Sequence, residues 1–259
     1  MTRPPLPAPF LRLPLAHRAL HDAGALRPEN SGAPIRAAVA QGYDIEIDLQ
    51  PSADGRALVF HDATLERLTG ATGHVSHLTA DEAGATALAH GDGEGIPTLD
   101  EVLEIVDGAV PLLIEIKDQS GPDAPGIGPL EAATARALAG YEGPVAVMSF
   151  NPDAVAEIAR LAPDLPRGLT TCAFDDPEDM AGLDAATLDR LREIRDFDRV
   201  GAGFISHDVT DLDRPRVAAL KAEGVPILCW TVRSPDQEAR ARRVADTVTF
   251  EGYPADFPA

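Results

Sequence analysis

The chain is poor in cysteine, in aromatic residues and in positive charge, and each shortage removes a class of answers. Its two cysteines, Cys172 and Cys229, each lie in or beside an apolar, strand-like segment. A thiol there behaves as a small hydrophobe, so no disulfide is expected. Lysine and arginine total 22 against 42 aspartates and glutamates, a net charge of −20. Nucleic acids and anionic membranes both attract proteins rich in Lys and Arg, so neither is expected as a partner. An anionic substrate would need a local basic pocket. No apolar run reaches the roughly 20 residues of a membrane span, and no stable membrane association is expected. The first ten residues are proline-rich and lack the apolar stretch and small-residue cleavage site of a secretory signal. A cytoplasmic location is the expectation.

A hydrophobic share of 44% in 259 residues is enough for one large core, and this length is close to the roughly 250 residues of an eight-stranded βα barrel. Short apolar runs recur at Leu13 to Ala16, Tyr43 to Leu49, Ala57 to Phe60, Pro111 to Ile116, Val145 to Phe150, Gly168 to Cys172, Gly203 to Ser206, Pro226 to Val232 and Thr247 to Phe250. That pattern suggests eight barrel strands and one extra. Between the runs lie amphipathic stretches, among them Ser31 to Gln41, Leu130 to Ala139, Pro152 to Leu161, Leu183 to Arg195 and Arg214 to Glu223. Alternating strand and helix signals favour an α/β fold, a (βα)8 TIM barrel, with a doubly wound open sheet as the competitor. Residues 62–97 break the rhythm, being rich in Thr, Gly, His and Asp, and read as a small insertion after the second strand region. One domain over residues 1–259 is the economical reading.

In such barrels the site lies at the C-terminal ends of the strands, so polar residues that end an apolar run carry most weight. Glu46 and Asp48 lie two apart in Tyr43-Asp44-Ile45-Glu46-Ile47-Asp48-Leu49 and therefore project to the same side of a strand. Two carboxylates so close repel, and a divalent metal, a basic side chain such as Lys117 or a substrate group must offset that. Glu115 with Lys117, His17 with Arg18, and His61 with Asp62 end three further runs. Singly, each pair has a bland reading: a solvated strand face, a structural histidine, a surface ion pair. Gathered at one mouth, they supply oxygen ligands for a divalent cation, two groups that exchange protons near neutral pH and two fixed cations, the equipment of phosphate-ester chemistry.

With these residues in place, the chain resembles the glycerophosphodiester phosphodiesterase family. The resemblance rests on Ala16-His17-Arg18, Arg27-Pro28-Glu29-Asn30-Ser31, Gly42 to Asp48, Val59-Phe60-His61-Asp62 with Leu65 to Gly70, Ile96 to Leu103, Leu113 to Lys117, Ser149-Phe150-Asn151-Pro152 and Val225 to Val232. It implies a TIM barrel that hydrolyses a small-molecule glycerophosphodiester to sn-glycerol 3-phosphate and an alcohol. It further implies His17 and His61 as general acid and base, Glu46, Asp48 and Glu115 as ligands of one Mg²⁺ or Ca²⁺ ion, and Arg18 and Lys117 as phosphate holders. Glu29 would join the metal and hydroxyl network, and Phe150 and Trp230 would line the substrate pocket or pack in the barrel. The chain departs from the family's pattern in three places. Ala19 follows His-Arg where the family usually has Gly, the stretch Leu20 to Leu26 is long, and the chain ends Thr249-Phe250-Glu251-Gly252-Tyr253-Pro254 in place of a Thr-Asp-x-Pro pattern. No contribution from the last strand is expected.

Two other readings compete. A phospholipase D-like or lysophospholipid-cleaving enzyme on the same barrel would want an apolar rim, and residues 62–97 hold few large apolar side chains. A non-catalytic phosphodiester-binding protein would have no need of a proton-transfer pair, so the presence of both His17 and His61 speaks against it.

Overall fold

The structure is a computed structural model that describes residues 2–121, 124–176 and 182–257. Eight parallel strands close on themselves: β1 (Leu15–Ala16), β2 (Asp44–Pro51), β4 (Leu112–Ile116), β5 (Val145–Ser149), β6 (Arg167–Thr171), β7 (Phe204–Asp208), β8 (Ile227–Val232) and β9 (Thr247–Phe250). Closure comes from β1, which pairs in parallel with both β2 and β9. The outer ring is α1 (Gly32–Gln41), α3 (Leu99–Val106), α4 (Pro129–Ala137), α5 (Pro152–Leu161), α6 (Ala185–Arg192), α7 (Pro215–Ala222) and α8 (Pro235–Ala241). The fold is the (βα)8 barrel that the alternating signals favour, and the open sheet is excluded.

The ninth apolar run is β3 (Ala57–Val59), which lies antiparallel to β2, with Leu49 opposite Val59 and Pro51 opposite Ala57. It is therefore not a barrel strand whose end opens on the mouth. The chain rises along β2, turns at residues 52–56 and descends again, and the Phe60 amide donates to the Asp48 carbonyl (3.0 Å). This return delivers His61 to the level of Asp48. From there residues 62–97 form a lobe containing α2 (Ala80–Ala85), with a small core of its own from Leu58, Phe60, Leu65, Leu68, Val75, Ala83, Leu88 and Ile96. A capping box of Thr98 and Glu101 then starts α3.

Strand alternation divides the barrel side chains into two sets. Ile45, Ile47, Leu112, Ile114, Val147, Ile205 and Val248 join the helices in the main apolar layer. The inward set starts low with Leu15, Leu113, Ala146, Phe204 and Leu228, over which Leu6 and Phe10 of the N-terminal segment pack. The registers stack inward residues from alternate strands in fours. Leu15, Leu113, Gly168 and Leu228 form one layer, Glu46, Met148, Ser206 and Thr249 the next, and His17, Glu115, Thr170 and Trp230 the one above. Glycine is required at 168, because a Cβ there would sit 2.5 Å from the Phe204 ring. Apart from Asp44 and Thr247 at the very bottom, the barrel is apolar below and polar above, and the polar layers open toward the mouth. No helix among the described residues is long and apolar enough to cross a membrane.

Candidate active site

A cavity of about 140 Å³ opens on these upper layers, lined by His17, Arg18, Glu46, Asp48, His61, Glu115, Lys117, Met148, Phe150, Trp230, Thr231, Arg233 and Thr249. Of the ten residues singled out from sequence, all but Glu29 line it. Glu29 stands behind Arg18, whose Nη1 donates to Glu29 Oε1 (2.7 Å). Phe150 and Trp230 meet edge to face with ring centroids 5.4 Å apart and form an aromatic wall.

Three carboxylates, Glu46, Asp48 and Glu115, are 2%, 1% and 6% exposed, and each offers a ligand atom within 4.8 Å of the others. Strand geometry puts them there: Glu46 and Asp48 are on the same face of β2, and Glu115 is the register partner of Asp48 on β4. Lys117 Nζ bridges Asp48 Oδ1 (2.7 Å) and Glu115 Oε1 (2.5 Å). Arg18 Nε stands 3.6 Å from Asp48 Oδ2, and the Arg18 amide donates to Glu46 Oε2 (3.0 Å). Asn30, held in the left-handed region at φ 58°, donates through Nδ2 to Asp48 Oδ2 (2.9 Å) and accepts the Asp48 amide on Oδ1 (3.2 Å).

The cations do not offset the charge evenly. Burial opposes ionisation of Asp48, yet Lys117, His61 and Arg18 together hold its pKa below the usual carboxylate range. Burial pushes Glu46 well up, and the charges of Asp48 and Glu115 push it further. Glu46 is thus the carboxyl that the lysine and arginine leave without a cation of its own, and it favours its protonated form until another positive charge arrives. An all-oxygen donor set of this kind fits a hard divalent cation such as Mg²⁺ or Ca²⁺.

Each histidine has Nδ1 tied to a carboxylate. His17 Nδ1 lies 2.5 Å from Glu251 Oε2, and His61 Nδ1 lies 2.7 Å from Asp62 Oδ1. An ionised carboxylate accepts only, so in both rings Nδ1 carries a proton. Burial, helped by the charge of Arg18, lowers the pKa of His17 although Glu251 opposes this. The arrangement is a neutral imidazole donating to an ionised Glu251. Asp62 is in turn gripped by Arg67, with Nε to Oδ2 at 2.6 Å, and Arg67 also clasps both oxygens of Glu29 (2.8 and 2.9 Å). An unbroken run of ion-paired and hydrogen-bonded groups, Asp48, Arg18, Glu29, Arg67, Asp62 and His61, so links the carboxylate cluster to the second histidine.

The last strand contributes after all, which corrects the expectation from its divergent motif. Glu251 follows β9 directly and accepts from His17 through one oxygen and from Arg233 Nε through the other (2.7 Å). Its signal was the one used elsewhere, a polar residue ending an apolar run. Asn30 and Arg233 were also missed as site residues. Asn30 lies in one of the segments that carry the family resemblance, and Arg233 follows β8 directly, again a polar residue ending an apolar run. Arg67 pairs with Asp62 and Glu29, leaving Glu66 to cap the Gly73 amide (2.9 Å).

The model of the glycerophosphoryl diester phosphodiesterase family matches residues 17–248. A glycerophosphodiester phosphodiesterase of Caldanaerobacter subterraneus subsp. tengcongensis is 32% identical over 233 residues, covering 85% of this chain and 87% of the relative. One of Bacillus subtilis is 28% identical over 265 residues, covering 95% and 85%. Among solved structures, a phosphodiesterase of Oleispira antarctica in complex with the product sn-glycerol-3-phosphate superposes with a TM-score of 0.77 at 25% identity, covering 95% of this chain and 94% of that one. The chain belongs to the glycerophosphoryl diester phosphodiesterase family and is a phosphoric diester hydrolase.

Proposed function

We propose that this enzyme hydrolyses water-soluble glycerophosphodiesters to sn-glycerol 3-phosphate and an alcohol, using a divalent cation and a pair of histidines. One observation carries the reading: two imidazoles with Nδ1 fixed by carboxylates flank a buried three-carboxylate cluster in a single cavity. The sn-glycerol-3-phosphate bound to the Oleispira relative supports the product assignment.

Glu46, Asp48 and Glu115 would hold the cation, Mg²⁺ or Ca²⁺. When bound, it supplies Lewis-acid polarisation of the phosphoryl group and lowers the pKa of a coordinated hydroxyl. Arg18 and Lys117 place positive charge where the phosphodiester and its transition state carry negative charge. Both now lean on carboxylates, so an incoming cation would free them for phosphate oxygens. Glu29 holds Arg18 in place. His17, kept neutral by its burial, would take the proton of the attacking hydroxyl on Nε2, and His61, acting as the imidazolium, would give a proton to the leaving alkoxide. Phe150 and Trp230 would shape the pocket around the glycerol carbons.

The apolar residues of the lobe, among them Leu65, Leu68, Val75, Leu88 and Ile96, are buried in its own core and offer no greasy rim for an acyl chain. This favours soluble head groups over lysophospholipids. Cys229 is buried and unbridged, in keeping with a reducing cytoplasm, and in this reading residues 1–259 make up a single domain. The test is release of glycerol 3-phosphate from glycerophosphocholine, glycerophosphoethanolamine and glycerophosphoglycerol with Mg²⁺, with Ca²⁺ and with a chelator. Metal-dependent release supports the reading. No release from a folded, metal-loaded protein refutes it and directs the search to lysophospholipids.

A further inference from the structure

His21 has no part in the proposed chemistry, yet it faces the same carboxylate as His17. Its Nε2 lies 3.6 Å from Glu251 Oε2, the oxygen that also accepts from His17 Nδ1 at 2.5 Å. The three candidate ligand atoms all fall within 4.8 Å of one another. Donors bound to one ion at about 2.0–2.2 Å in a tetrahedron stand roughly 3.5 Å apart, so a small parting of His17 and Glu251 would bring the trio to that spacing. His21 Nε2 is buried and has no hydrogen-bond partner in the structure. Glu251 is held from its other side by Arg233 on Oε1 (2.7 Å), which leaves Oε2 aimed at the two imidazoles.

We propose that His17, His21 and Glu251 form a second cation site, selective for zinc or a similarly nitrogen-seeking divalent ion, whose occupation stops turnover. Two nitrogens and one oxygen make a borderline donor set, whereas Glu46, Asp48 and Glu115 offer oxygen alone. Imidazole ligands suit Zn²⁺ and carboxylates suit Mg²⁺ or Ca²⁺, so the two clusters sort cations by chemistry within one mouth. Neither His21 nor Glu251 lies in the segments that carry the family resemblance. One comes from the long first loop, where a tight turn sets its backbone (His21 amide to Ala19 carbonyl, 2.9 Å), and the other from the divergent chain end.

The inhibition follows from the tautomer and rests on the proposed role of His17. Coordination takes the Nδ1 lone pair, so the one proton of the neutral ring moves from Nδ1 to Nε2. The nitrogen facing the cavity then holds a proton and cannot accept one. Binding itself is independent of that role.

The test uses the full chain, stripped of metal and then saturated with Mg²⁺. Zn²⁺ is titrated by equilibrium dialysis with elemental analysis of both metals, beside activity on glycerophosphocholine, for wild type and His21→Ala. The expected result is one Zn²⁺ bound per wild-type chain with Mg²⁺ retained, and loss of activity in step with Zn²⁺ binding. His21→Ala should keep its zinc-free activity within about twofold and bind Zn²⁺ more than about tenfold more weakly, since loss of even an outer partner of a metal ligand costs about 10–100-fold. Equal Zn²⁺ affinity in the two proteins, or release of one Mg²⁺ for each Zn²⁺ bound, would overturn the proposal. A wild type inactive without zinc would refute the proposed function instead, and the dialysis would still decide the site.

Discussion

Replacing Asp44 by asparagine is expected to stabilise the fold at alkaline pH, with an advantage that fades as pH falls. Asp44 begins β2 on the inward face, two residues below Glu46, in the lowest barrel layer with Ala146, Phe204 and Thr247 by register. It is 0% exposed, and neither carboxylate oxygen has a hydrogen-bond partner in the structure. Burial therefore pushes its pKa from 3.8 up to about 8. The folded chain holds this proton at pH values where the unfolded chain has released it, so the contribution to stability is greatest below pH 3.8 and is lost as pH rises to about 8. At about 1.4 kcal/mol per pH unit, the whole loss is on the order of 5 kcal/mol. Asparagine removes the titration, while its extra unpaired donor costs about 1–3 kcal/mol. The net gain at pH 8 is thus about 2–4 kcal/mol, or several degrees in Tm at about 2–4 °C per kcal/mol for a chain of this size. Urea melts of both proteins from pH 5.5 to 8.5 give the difference directly, with all other titrations cancelling. That difference should grow by roughly 1.4 kcal/mol per pH unit up to about pH 8. Two parallel curves would refute the reasoning and show that Asp44 is ionised and solvated in the fold.

His17→Ala and His61→Ala should each reduce kcat by at least about 10² with an unchanged circular dichroism spectrum; near wild-type rates in either would remove that residue from proton transfer. Glu251→Gln should lower kcat by about tenfold or more through loss of the imidazole's orientation. Because Glu251 raises the pKa of His17 against the lowering by burial, the acid limb of kcat/KM set by a neutral base lies below pH 6.5 and should move lower still in this variant. A limb that stays in place would mean that His17 is not that base. Glu115→Gln deletes a charge at little change in volume and should weaken the metal dependence of activity; an identical metal titration would exclude Glu115 as a ligand.

Much of the site was legible because strand alternation is a local property. Glu46 with Asp48, and Glu115 with Lys117, must share a face of any strand that carries them, and a barrel has one end at which such faces meet. What sequence determined is thus the periodicity of each element and the chemistry carried on each face.

Tertiary structure decided pairing and direction, which depend on residues far apart in the chain. Ala57 to Phe60 reads like any other apolar run, and only its antiparallel pairing with β2 shows that it descends to the mouth and brings His61 beside Asp48. Glu251 is 234 residues from His17, and barrel closure through β1 and β9 makes them neighbours. Asp44 and Glu46 share one strand face, but the apolar plug of Leu6 and Phe10 leaves the first in a dry floor and the second under an open cavity. No local pattern encodes that difference, because burial is a property of the whole fold.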